Sequence, residues 1–483
     1  MKANYIDFLQ ISKEKTLRND CVYQALATRR TQNAHPYYTF KELFDIIEEK
    51  TNYEDIVDDF KYCQIGDVSK EGITSPATLN FDVRDLLNEN YYKKIEKGDI
   101  MPVQENDILL SFLLPQDVNT LGKFIRIRAD VSDIYFSTAF IRLKAKVCPE
   151  VLFYCLRSIF YKDLVSVARI RKGYTGYATI SNDELNDLRF DKGVIDSIQR
   201  NYDFLRDTII DSENKIQNLV GQINTVQEII DSCFINHFEF DFESFKRLKK
   251  IKKHFSSQVT IANNPDLRFS AKFHREAGDY VMSQLTSVTD KKIKHFLSEP
   301  IVLGASVSPD DYSEDGEFCY ISMATIKGWS FNSEGASTVS KDYSDAKTEK
   351  TVRKNDIILA RSGEGTIGKV ALIDDDDVQG VFADFTMRIR LKNYSPEFAY
   401  YYFRTSYFQY LIEVYKKGLG NNTNIFPIVI QEFPLIDISL EEQQRIVEEI
   451  HTEIAKQDAI KVEIADLRAQ IDKIIENTIR VDV

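Results

Sequence analysis

Two stretches of the chain carry apolar residues at alternating steps of three and four, the spacing of a long amphipathic helix with one apolar seam. The first stretch spans residues 198–233, and its seam includes Leu205, Ile209, Ile216, Leu219, Ile223 and Ile230. The second spans residues 450–474, and its seam includes Ile450, Ile460, Ile464, Leu467, Ile471 and Ile474. Together with the residues that flank it, each stretch predicts a helix of about 40 residues, which is about 60 Å long.

An apolar seam has to be buried, and the chain offers two seams of similar length. We therefore expect the two helices to pair as an antiparallel coiled coil that holds other domains at a fixed separation. The alternative is that each helix packs on its own domain, but a seam this long exceeds the face of one small domain. Ser439, followed three residues later by Glu442, predicts a capping box at the start of the second helix.

The rest of the sequence is a duplication, because short segments recur in the same order about half a chain apart. The matching segments are residues 60–62 with 318–320, 106–110 with 355–359, 121–123 with 367–369, 140–143 with 388–391, 149–150 with 396–397, and 173–180 with 418–425. Each copy combines short strands, a helix and a glycine-containing loop. The sequence therefore predicts an α/β fold class, mixed α+β, with two tandem pseudo-symmetric domains.

These patterns give the domain boundaries that we expect along the chain. The first domain covers residues 1–190, and the first long spacer helix with the start of a basic linker covers 191–245. The second domain covers 246–436, and the second long spacer helix covers 437–483. Two similar modules on a rigid spacer suit a DNA site in two halves, since half-site spacing mirrors the spacing of the reading units.

Composition limits the class of protein but does not decide its function. A length of 483 residues exceeds one hydrophobic core, so several domains are expected. The net charge of -13 does not favour nucleic acid, although binding needs only a basic face and not a basic total. The six cysteines show no Cys-x-x-Cys pair, which predicts free thiols and no metal site. Without a signal peptide or an apolar run of membrane-spanning length, we expect a cytoplasmic protein.

Two segments of the second copy carry a family resemblance. Residues 354–373 read KNDIILARSGEGTIGKVALI, and residues 433–450 read FPLIDISLEEQQRIVEEI. Together with Gly418 and the polar loop that follows it, they resemble the specificity subunit of Type I restriction-modification systems. The first copy is more divergent, because it lacks a counterpart of Arg361, Ser362 and Gly363.

The resemblance implies a non-catalytic DNA-binding subunit with two target recognition domains, each reading one half of a split asymmetric site on double-stranded DNA. It also implies two methyltransferase subunits docked on the paired helices, with restriction and motor subunits joining them. S-adenosylmethionine would reside in the partner methyltransferases, which would flip out and methylate an adenine. No cofactor and no metal are expected in this chain.

Base readout requires arginine, lysine, asparagine or glutamine side chains at base edges, and cations on phosphates. In the second domain the candidates are Lys327, Arg361, Ser362, Lys369, Lys416, Lys417, Asn421, Asn422 and Thr423. In the first domain they are Lys70, Lys123, Arg169, Arg171, Lys172, Tyr174 and Tyr177. Each of these positions is also compatible with an ordinary solvated turn. The basic run at residues 246–253 either contacts phosphates or is a solvated face.

Enzymatic functions find little support in the motifs. The chain has no Asn/Asp-Pro-Pro-Tyr tetrapeptide of an adenine methyltransferase. The nearest approach to a phosphate-binding loop ends at Lys369, but Val370 replaces the required hydroxyl and the next residues predict a strand. Two other hypotheses stay open, namely a specificity subunit of a methylation-based phage-defence system without a Type I nuclease, and a coiled-coil scaffold that binds proteins. Sequence-selective binding to duplex DNA would exclude the pure scaffold.

Overall fold

The computed structural model describes residues 36–49, 59–69, 72–74, 76–80, 100–111, 123–129, 134–157, 179–186, 188–251, 268, 270–363, 365–418 and 422–480. Contacts between residues divide the chain into two compact units. Unit 1 comprises residues 1–223 and 460–483, and unit 2 comprises residues 224–459. The division falls inside both predicted spacer segments, so the four-segment division expected from the sequence stays a prediction.

Unit 1 contains two four-stranded sheets with the orders β2-β11-β8-β9 and β6-β3-β10-β7, and β1 pairs with β12. Its strands are β1 (Tyr37–Thr39), β2 (Phe44–Ile47), β3 (Asp59–Cys63), β4 (Val68–Ser69), β5 (Gly72–Ile73), β6 (Ala77–Asn80), β7 (Ile100–Pro102), β8 (Asp107–Ser111), β9 (Phe124–Arg126), β10 (Ile134–Ser137), β11 (Phe140–Ala145) and β12 (Arg189–Asp191). Its helices include α1 (Phe40–Leu43), α2 (Pro149–Cys155), α3 (Asn182–Asn186), α4 (Lys192–Arg200) and α5 (Tyr202–Val220).

Unit 2 contains sheets with the orders β13-β19-β16-β17 and β15-β14-β18. Its strands are β13 (Val302–Leu303), β14 (Phe318–Ile321), β15 (Thr338–Val339), β16 (Ile357–Ala360), β17 (Val370–Leu372), β18 (Gly380–Phe382) and β19 (Thr386–Ile389). Its helices include α6 (Val226–Phe238), α7 (Phe242–Lys250), α8 (Glu276–Val288), α9 (Lys341–Ala346), α10 (Pro396–Arg404), α11 (Ser406–Tyr415) and α12 (Pro427–Ile430). Helix α13 (Leu440–Arg480) begins in unit 2 and ends in unit 1.

The two units repeat one strand topology. In the first sheet of each unit, β2, β11, β8 and β9 stand where β13, β19, β16 and β17 stand, and neighbouring strands run antiparallel in both. In the second sheet, the parallel pair β3–β10 corresponds to the parallel pair β14–β18. Strand β7 pairs antiparallel with β10, and an isolated bridge joins Thr351 to Val381 on β18 in the same way. The internal duplication and the mixed α+β class are therefore confirmed.

A buried ion-pair network is repeated with the strands. Asp107 and Asp356 are both fully buried where equivalent strands begin. Arg142 donates through Nε to Asp107 at 2.6 Å and lies 3.1 Å from Glu49. In unit 2, Arg390 donates to Asp356 at 2.6 Å and lies 3.1 Å from Glu299. A buried charge requires such pairing, so the network explains why these charged positions recur in the duplicated sequence.

The preceding residues Asn106 and Asn355 complete the shared turn. Both have positive φ angles, 66° and 72° respectively. This is the left-handed conformation, which asparagine tolerates better than most residues. Their amides donate to the carbonyls of Ile127 and Ile373, at 2.7 Å in each case. The repeated Asn-Asp pair is thus a turn followed by the start of a buried strand.

The first spacer segment is not one continuous helix, as the heptad pattern predicted, but three helices, α4, α5 and α6. Helix α5 ends just before Gly221, and Thr225 starts α6. The Thr225 hydroxyl accepts from the Glu228 amide at 3.2 Å, and the Glu228 carboxylate accepts from the Thr225 amide at 2.7 Å. This capping box competes with helical continuation. Ile223 consequently lies in the break, 37% exposed.

The other seam residues are buried or partly buried, each within its own unit. In unit 1, one hydrophobic cluster contains Leu205, Ile209, Ile216, Ile460, Ile464 and Ile471, with Leu219, Leu467 and Ile474 packed against it. In unit 2, Ile230 and Ile450 share another cluster. Helix α6 runs antiparallel to α13 in unit 2, because Asn224 bonds Gln457 at 2.9 Å while His237 bonds Glu449 at 2.7 Å.

The start of α13 is capped as the sequence predicted, although only from one side. The Ser439 hydroxyl accepts from the Glu442 amide at 3.1 Å. The Glu442 carboxylate bonds Arg445 at 3.0 Å, so it pairs along the helix surface. Gln443 is buried, accepts from the Ser395 amide at 2.8 Å and thereby ties α13 to the start of α10.

Among the described helices, none combines the length and apolar composition that crossing a membrane would require.

Candidate nucleic-acid interface

Three segments of unit 2 meet beside the end of β16. We call them the glycine-turn face, which consists of residues 323–330, 361–369 and 416–425 as far as these are described. Gly363 donates its amide to the Thr423 carbonyl at 3.3 Å, and Ile425 donates to the Arg361 carbonyl at 2.9 Å. The Lys369 ammonium donates to the Lys327 carbonyl at 2.8 Å. Candidates that lie far apart in sequence therefore share one surface.

The turn between β16 and β17 depends on glycine conformations. Gly363, Gly365 and Gly368 have φ values of 87°, 83° and 88°. Such values favour glycine over residues with a Cβ. A Cβ atom on Gly368 would also meet Gln409 Oε1 at 2.7 Å and Ile412 at 3.0 Å. This turn is followed directly by strand β17, so the Gly363-to-Lys369 segment is not the strand–loop–helix of a phosphate-binding loop.

Trp329 anchors the segment that contains Lys327. The Lys369 ammonium lies 5.6 Å and the Arg404 guanidinium 5.4 Å from the centre of the Trp329 ring. Both distances are within the range of cation–π attraction. Arg404 also donates to the Tyr400 hydroxyl at 2.6 Å. Lys369 therefore serves the packing of the face, while the Lys327 side chain is exposed.

Arg361 is half-buried, with its orientation set by one internal hydrogen bond. Its Nε donates to the Asp384 carbonyl at 2.9 Å. Among the described residues, no hydrogen bond or ion pair engages its two terminal nitrogens. These nitrogens are the ones that arginine presents to a guanine edge. Phe385, whose carbonyl accepts from the Arg361 amide at 3.0 Å, is 49% exposed. Arg361 thus has its Nε fixed, while its two terminal nitrogens have no partner among the described residues.

Lys416 differs from the expected solvent-facing cation. Its side chain is only 12% exposed and forms an ion pair with Glu413 at 2.6 Å. Glu413 also bonds Lys272. Burial opposes ionisation of Glu413, but the hydrogen bonds from Lys272 and Lys416 outweigh it, and the pKa of the carboxyl lies below its ordinary value. Lys416 is therefore ion-paired within unit 2, although Lys272 shares the same carboxylate.

The loop after α11 places its polar residues unequally. Lys417 is exposed, and its backbone pairs with Asn424 through hydrogen bonds of 2.8 and 2.7 Å. Asn422 is exposed, whereas Ser362 and Thr423 are buried at 6% and 4% exposure. The Thr423 hydroxyl has no hydrogen-bond partner among the described residues. Ser362 and Thr423 therefore lie inside the fold, whereas Lys417 and Asn422 face the solvent.

In unit 1 most of the predicted candidates lie outside the described residues. These are Lys70, Arg169, Arg171, Lys172, Tyr174 and Tyr177, and in unit 2 Asn421 likewise. Lys123 is exposed, and its carbonyl accepts from Ser111 at 2.8 Å, as the Lys369 carbonyl accepts from Ala360 at 2.8 Å. Lys123 and Lys369 therefore occupy equivalent positions in the two units.

Two further arginines of unit 1, which sequence reasoning missed, lie at the end of β9. Arg126 pairs with Glu213 of helix α5 at 2.6 Å, and Arg128 approaches the same carboxylate at 3.1 Å. Both contacts join the sheet to the spacer helix, and the two guanidinium groups share one carboxylate. No sequence signal identified them, because Glu213 follows Arg126 by 87 positions in the chain. They are structural ties and not free cations.

The basic run begins within helix α7 and is mostly exposed as far as it is described. Lys246 pairs with Glu243 at 2.8 Å and lies 4.9 Å from the centre of the Phe242 ring. Lys249 lies 5.6 Å from the Phe245 ring and 5.7 Å from the Tyr410 ring. These contacts favour a solvated face whose lysine stems cover aromatic residues.

Sequence reasoning also missed Phe385 and Trp329. Phe385 is an exposed aromatic next to Arg361. An aromatic ring beside an available guanidinium suits contact with base edges or a thymine methyl group. Trp329 is the only tryptophan in the chain, which was the available signal. Its role is indirect, because it positions the segment that carries Lys327.

The duplicated mixed α+β units carry basic and amide side chains on loops, which are the residue types that contact duplex nucleic acid in other proteins. Residues 300–467 match the family model described as Type I restriction modification DNA specificity domain. The family model therefore matches the part of the chain that carries the resemblance found in the sequence. No curated protein matches the chain.

Several solved structures are similar to the chain. One comes from work on complex assembly and conformational transition of the type I R-M system, with 14% identity, a TM-score of 0.46, and coverage of 93% of this chain and 98% of that chain. The HsdS subunit from Thermoanaerobacter tengcongensis has 14% identity, a TM-score of 0.32, and coverage of 94% and 98%. The S subunit of the Type-I restriction-modification system from M. genitalium has 13% identity, a TM-score of 0.44, and coverage of 94% and 98%.

Proposed function

We propose that this chain is the sequence-reading subunit of a Type I restriction-modification complex and that each unit reads one half of a split site on duplex DNA. The observation that carries the proposal is the repeated strand topology, with equivalent turns at Lys123 and Lys369, in a chain whose residues 300–467 match the specificity-domain family. A repeated reading module is what a bipartite site demands.

In unit 2, Arg361 is the proposed base reader, because its Nε is fixed to Asp384 while its terminal nitrogens have no partner within the part of the chain that the structure describes. Lys327 and Lys417, both exposed, would contact phosphates and fix the register of the module on the duplex. Asn422 would contact a base edge or a sugar. The buried partners Ser362 and Thr423 would hold the loops that carry them.

The proposal extends to partners. Two adenine methyltransferase subunits would dock on the helices that carry the apolar seams, and restriction and motor subunits would join through them. S-adenosylmethionine and the methyl-transfer chemistry would belong to those partners, and this chain would recognise the DNA sequence. A cytoplasmic location follows from this function. A related phage-defence complex without the nuclease would use the same reading chain.

The test is a binding titration on a duplex selected from random sequence by the wild-type chain. Arg361→Gln is expected to weaken that duplex by about 1–3 kcal/mol and to relax selectivity at one position. Lys327→Gln is expected to weaken all duplexes similarly and to lower the salt dependence by about one counterion. Lys341→Gln, at an exposed lysine on α9 outside the face, is the matched control.

The outcomes distinguish sequence-selective contact from electrostatic attraction to any duplex DNA. Equal losses for Arg361→Gln on selected and unrelated duplexes would show that Arg361 does not read sequence. Failure of the wild-type chain to enrich any sequence would contradict the proposed function and favour the protein-binding scaffold.

A further inference from the structure

A cluster of three potential metal ligands lies where helix α6 meets α13 inside unit 2. Cys233, His237 and Glu449 offer a thiol, an imidazole nitrogen and a carboxylate oxygen that all lie within 4.8 Å of one another. His237 Nε2 lies 2.7 Å from a Glu449 oxygen. The cluster is remote in sequence from the glycine-turn face and is not used by the proposed DNA reading.

The helices themselves bring the ligands together. Cys233 and His237 are four positions apart on α6, so they project from one face of the helix. Glu449 comes from the antiparallel helix α13, which the same pairing places opposite. The cysteine spacing gave no sign of this site, because a Cys-x-x-x-His pair says little by itself and Glu449 follows His237 by 212 positions.

The donor set suits a borderline-soft divalent ion. Thiolate, imidazole and carboxylate are the side chains that zinc takes in proteins, usually in a four-coordinate arrangement. A thiolate and a carboxylate together balance two positive charges, which limits the cost of placing the ion between packed helices. Cys233 is 5% exposed and the Glu449 side chain 46% exposed, so an ion could enter from the solvent side.

A carboxylate lies near the other ring nitrogen of the histidine, beyond hydrogen-bond distance. With Nε2 bound to a metal, Nδ1 must carry the imidazole proton, and metal-bound histidines usually donate that proton to a carboxylate. A Glu442 oxygen lies 3.9 Å from His237 Nδ1. Arg445 lies 3.4 Å from the same nitrogen, but its side chain is 61% exposed and can turn away.

We propose that Cys233, His237 and Glu449 form a zinc site that clamps α6 to α13, with a water molecule as the fourth ligand and Glu442 orienting the histidine. Binding replaces the thiol proton by the metal, so one proton is released for each ion bound. The ion would hold together the helix pair of unit 2 and leave the DNA-reading loops unaltered.

The test uses the full-length chain, stripped of metal by a chelator and titrated with zinc chloride by calorimetry. The expected result is one tightly bound zinc ion per chain, with proton release and a higher melting temperature. Titration with cobalt chloride should give the near-ultraviolet charge-transfer band of a cobalt–thiolate bond. Cys233→Ser should remove that band and weaken zinc binding by more than ~10-fold.

Two further variants keep the test valid if Cys233→Ser fails to fold. Glu449→Gln changes a half-exposed side chain and should also weaken zinc binding by more than ~10-fold while preserving the circular dichroism spectrum. Cys319→Ser, at a cysteine of unit 2 outside the cluster, is the matched control and should bind like the wild type. The proposal is overturned if the wild type binds no zinc, if Glu449→Gln binds it equally well, or if Cys319→Ser removes the cobalt band.

Discussion

The repeated Asp–Arg pair predicts an unequal response of the two units to the same substitution. Asp356 is fully buried and accepts from Arg390 Nε at 2.6 Å, from Arg390 Nη2 at 2.7 Å, and from the Arg353 amide at 2.9 Å. Both of its oxygens therefore face donors. In Asp356→Asn, the new amide NH2 group must point at one of these donors, so at least one contact becomes repulsive.

The size of the loss in the free energy of unfolding depends on how buried each aspartate is and on which partners its arginine keeps after the substitution. Removing one partner of a buried ion pair costs about 3–5 kcal/mol. Arg390 keeps Glu299 at 3.1 Å, so its charge is not left alone and the lower part of that range is expected. Asp107 is different, because both its donors, Arg142 and Gln104, approach Oδ2 while Oδ1 has no partner among the described residues. Asp107→Asn can turn its oxygen toward those donors, which predicts a smaller loss of about 1–3 kcal/mol.

The assay is urea unfolding followed by tryptophan fluorescence and far-ultraviolet circular dichroism together. Trp329, the sole tryptophan, lies in unit 2 and reports on that unit. Asp356→Asn should lower the midpoint of the fluorescence transition by roughly 1–2 M urea, given an m-value of about 2–3 kcal/mol per M. Asp107→Asn should leave the fluorescence midpoint in place and shift part of the dichroism change.

Asp315→Asn, at an exposed turn of unit 2, is the matched control. It should change neither transition by more than about 0.5 kcal/mol. The reasoning is refuted if Asp356→Asn costs less than about 1 kcal/mol, or if Asp107→Asn destabilises its unit more than Asp356→Asn destabilises unit 2.

Three further predictions follow from the turn, the helix break and a surface ion pair. Gly368→Ala should lower the melting temperature of unit 2 by several degrees, since a Cβ meets Gln409 at 2.7 Å and φ is 88°. An unchanged melting curve would contradict this expectation. Ile223→Ser should lower the free energy of unfolding by under about 0.5 kcal/mol, whereas Ile216→Ser should lower it by about 2–4 kcal/mol. Equal losses in urea unfolding would indicate that Ile223 is buried in a continuous apolar seam. Hydrogen bonds from two lysines lower the pKa of Glu432 from 4.5 to about 2, so its ionised form is favoured in the folded state. Because the Glu432 side chain is 41% exposed, the destabilisation by Glu432→Gln should stay below about 1 kcal/mol. In thermal melts it should be present above the ordinary pKa of the carboxyl and vanish as the pH falls through the lowered pKa.

The duplication could be predicted because the repeated segments are the ones that make the buried strands and turns. Asn106 and Asn355 recur as left-handed turn residues. The aspartates that follow them recur as fully buried carboxylates, each paired with an arginine. The continuous first helix could not be excluded by periodicity, since apolar spacing persists through Ile223. The capping box at Thr225 starts a new helix and so places the break, while the heptad spacing of apolar residues continues across it.

The candidate site was predictable by residue type but not by role. By sequence alone, Arg361, Lys369 and Lys416 are equivalent basic loop residues, and the structure gives each a different environment. No hydrogen bond from a described residue engages the terminal nitrogens of Arg361, Lys369 lies over Trp329, and Lys416 pairs with Glu413. The partners of Arg361 and Lys369 lie far away in the chain, and local patterns do not encode them. Glu413 lies only three residues before Lys416, so this pair is a local one that the sequence analysis missed.

The most direct measurement of the central claim is methylome sequencing of cells that express this chain with a cognate adenine methyltransferase, before and after residues 1–190 are exchanged for those of a related chain. The account predicts a methylated motif in two short blocks separated by unspecified bases, of which the exchange alters one block and leaves the other intact. A change in both blocks, in neither block, or a single uninterrupted motif would contradict it.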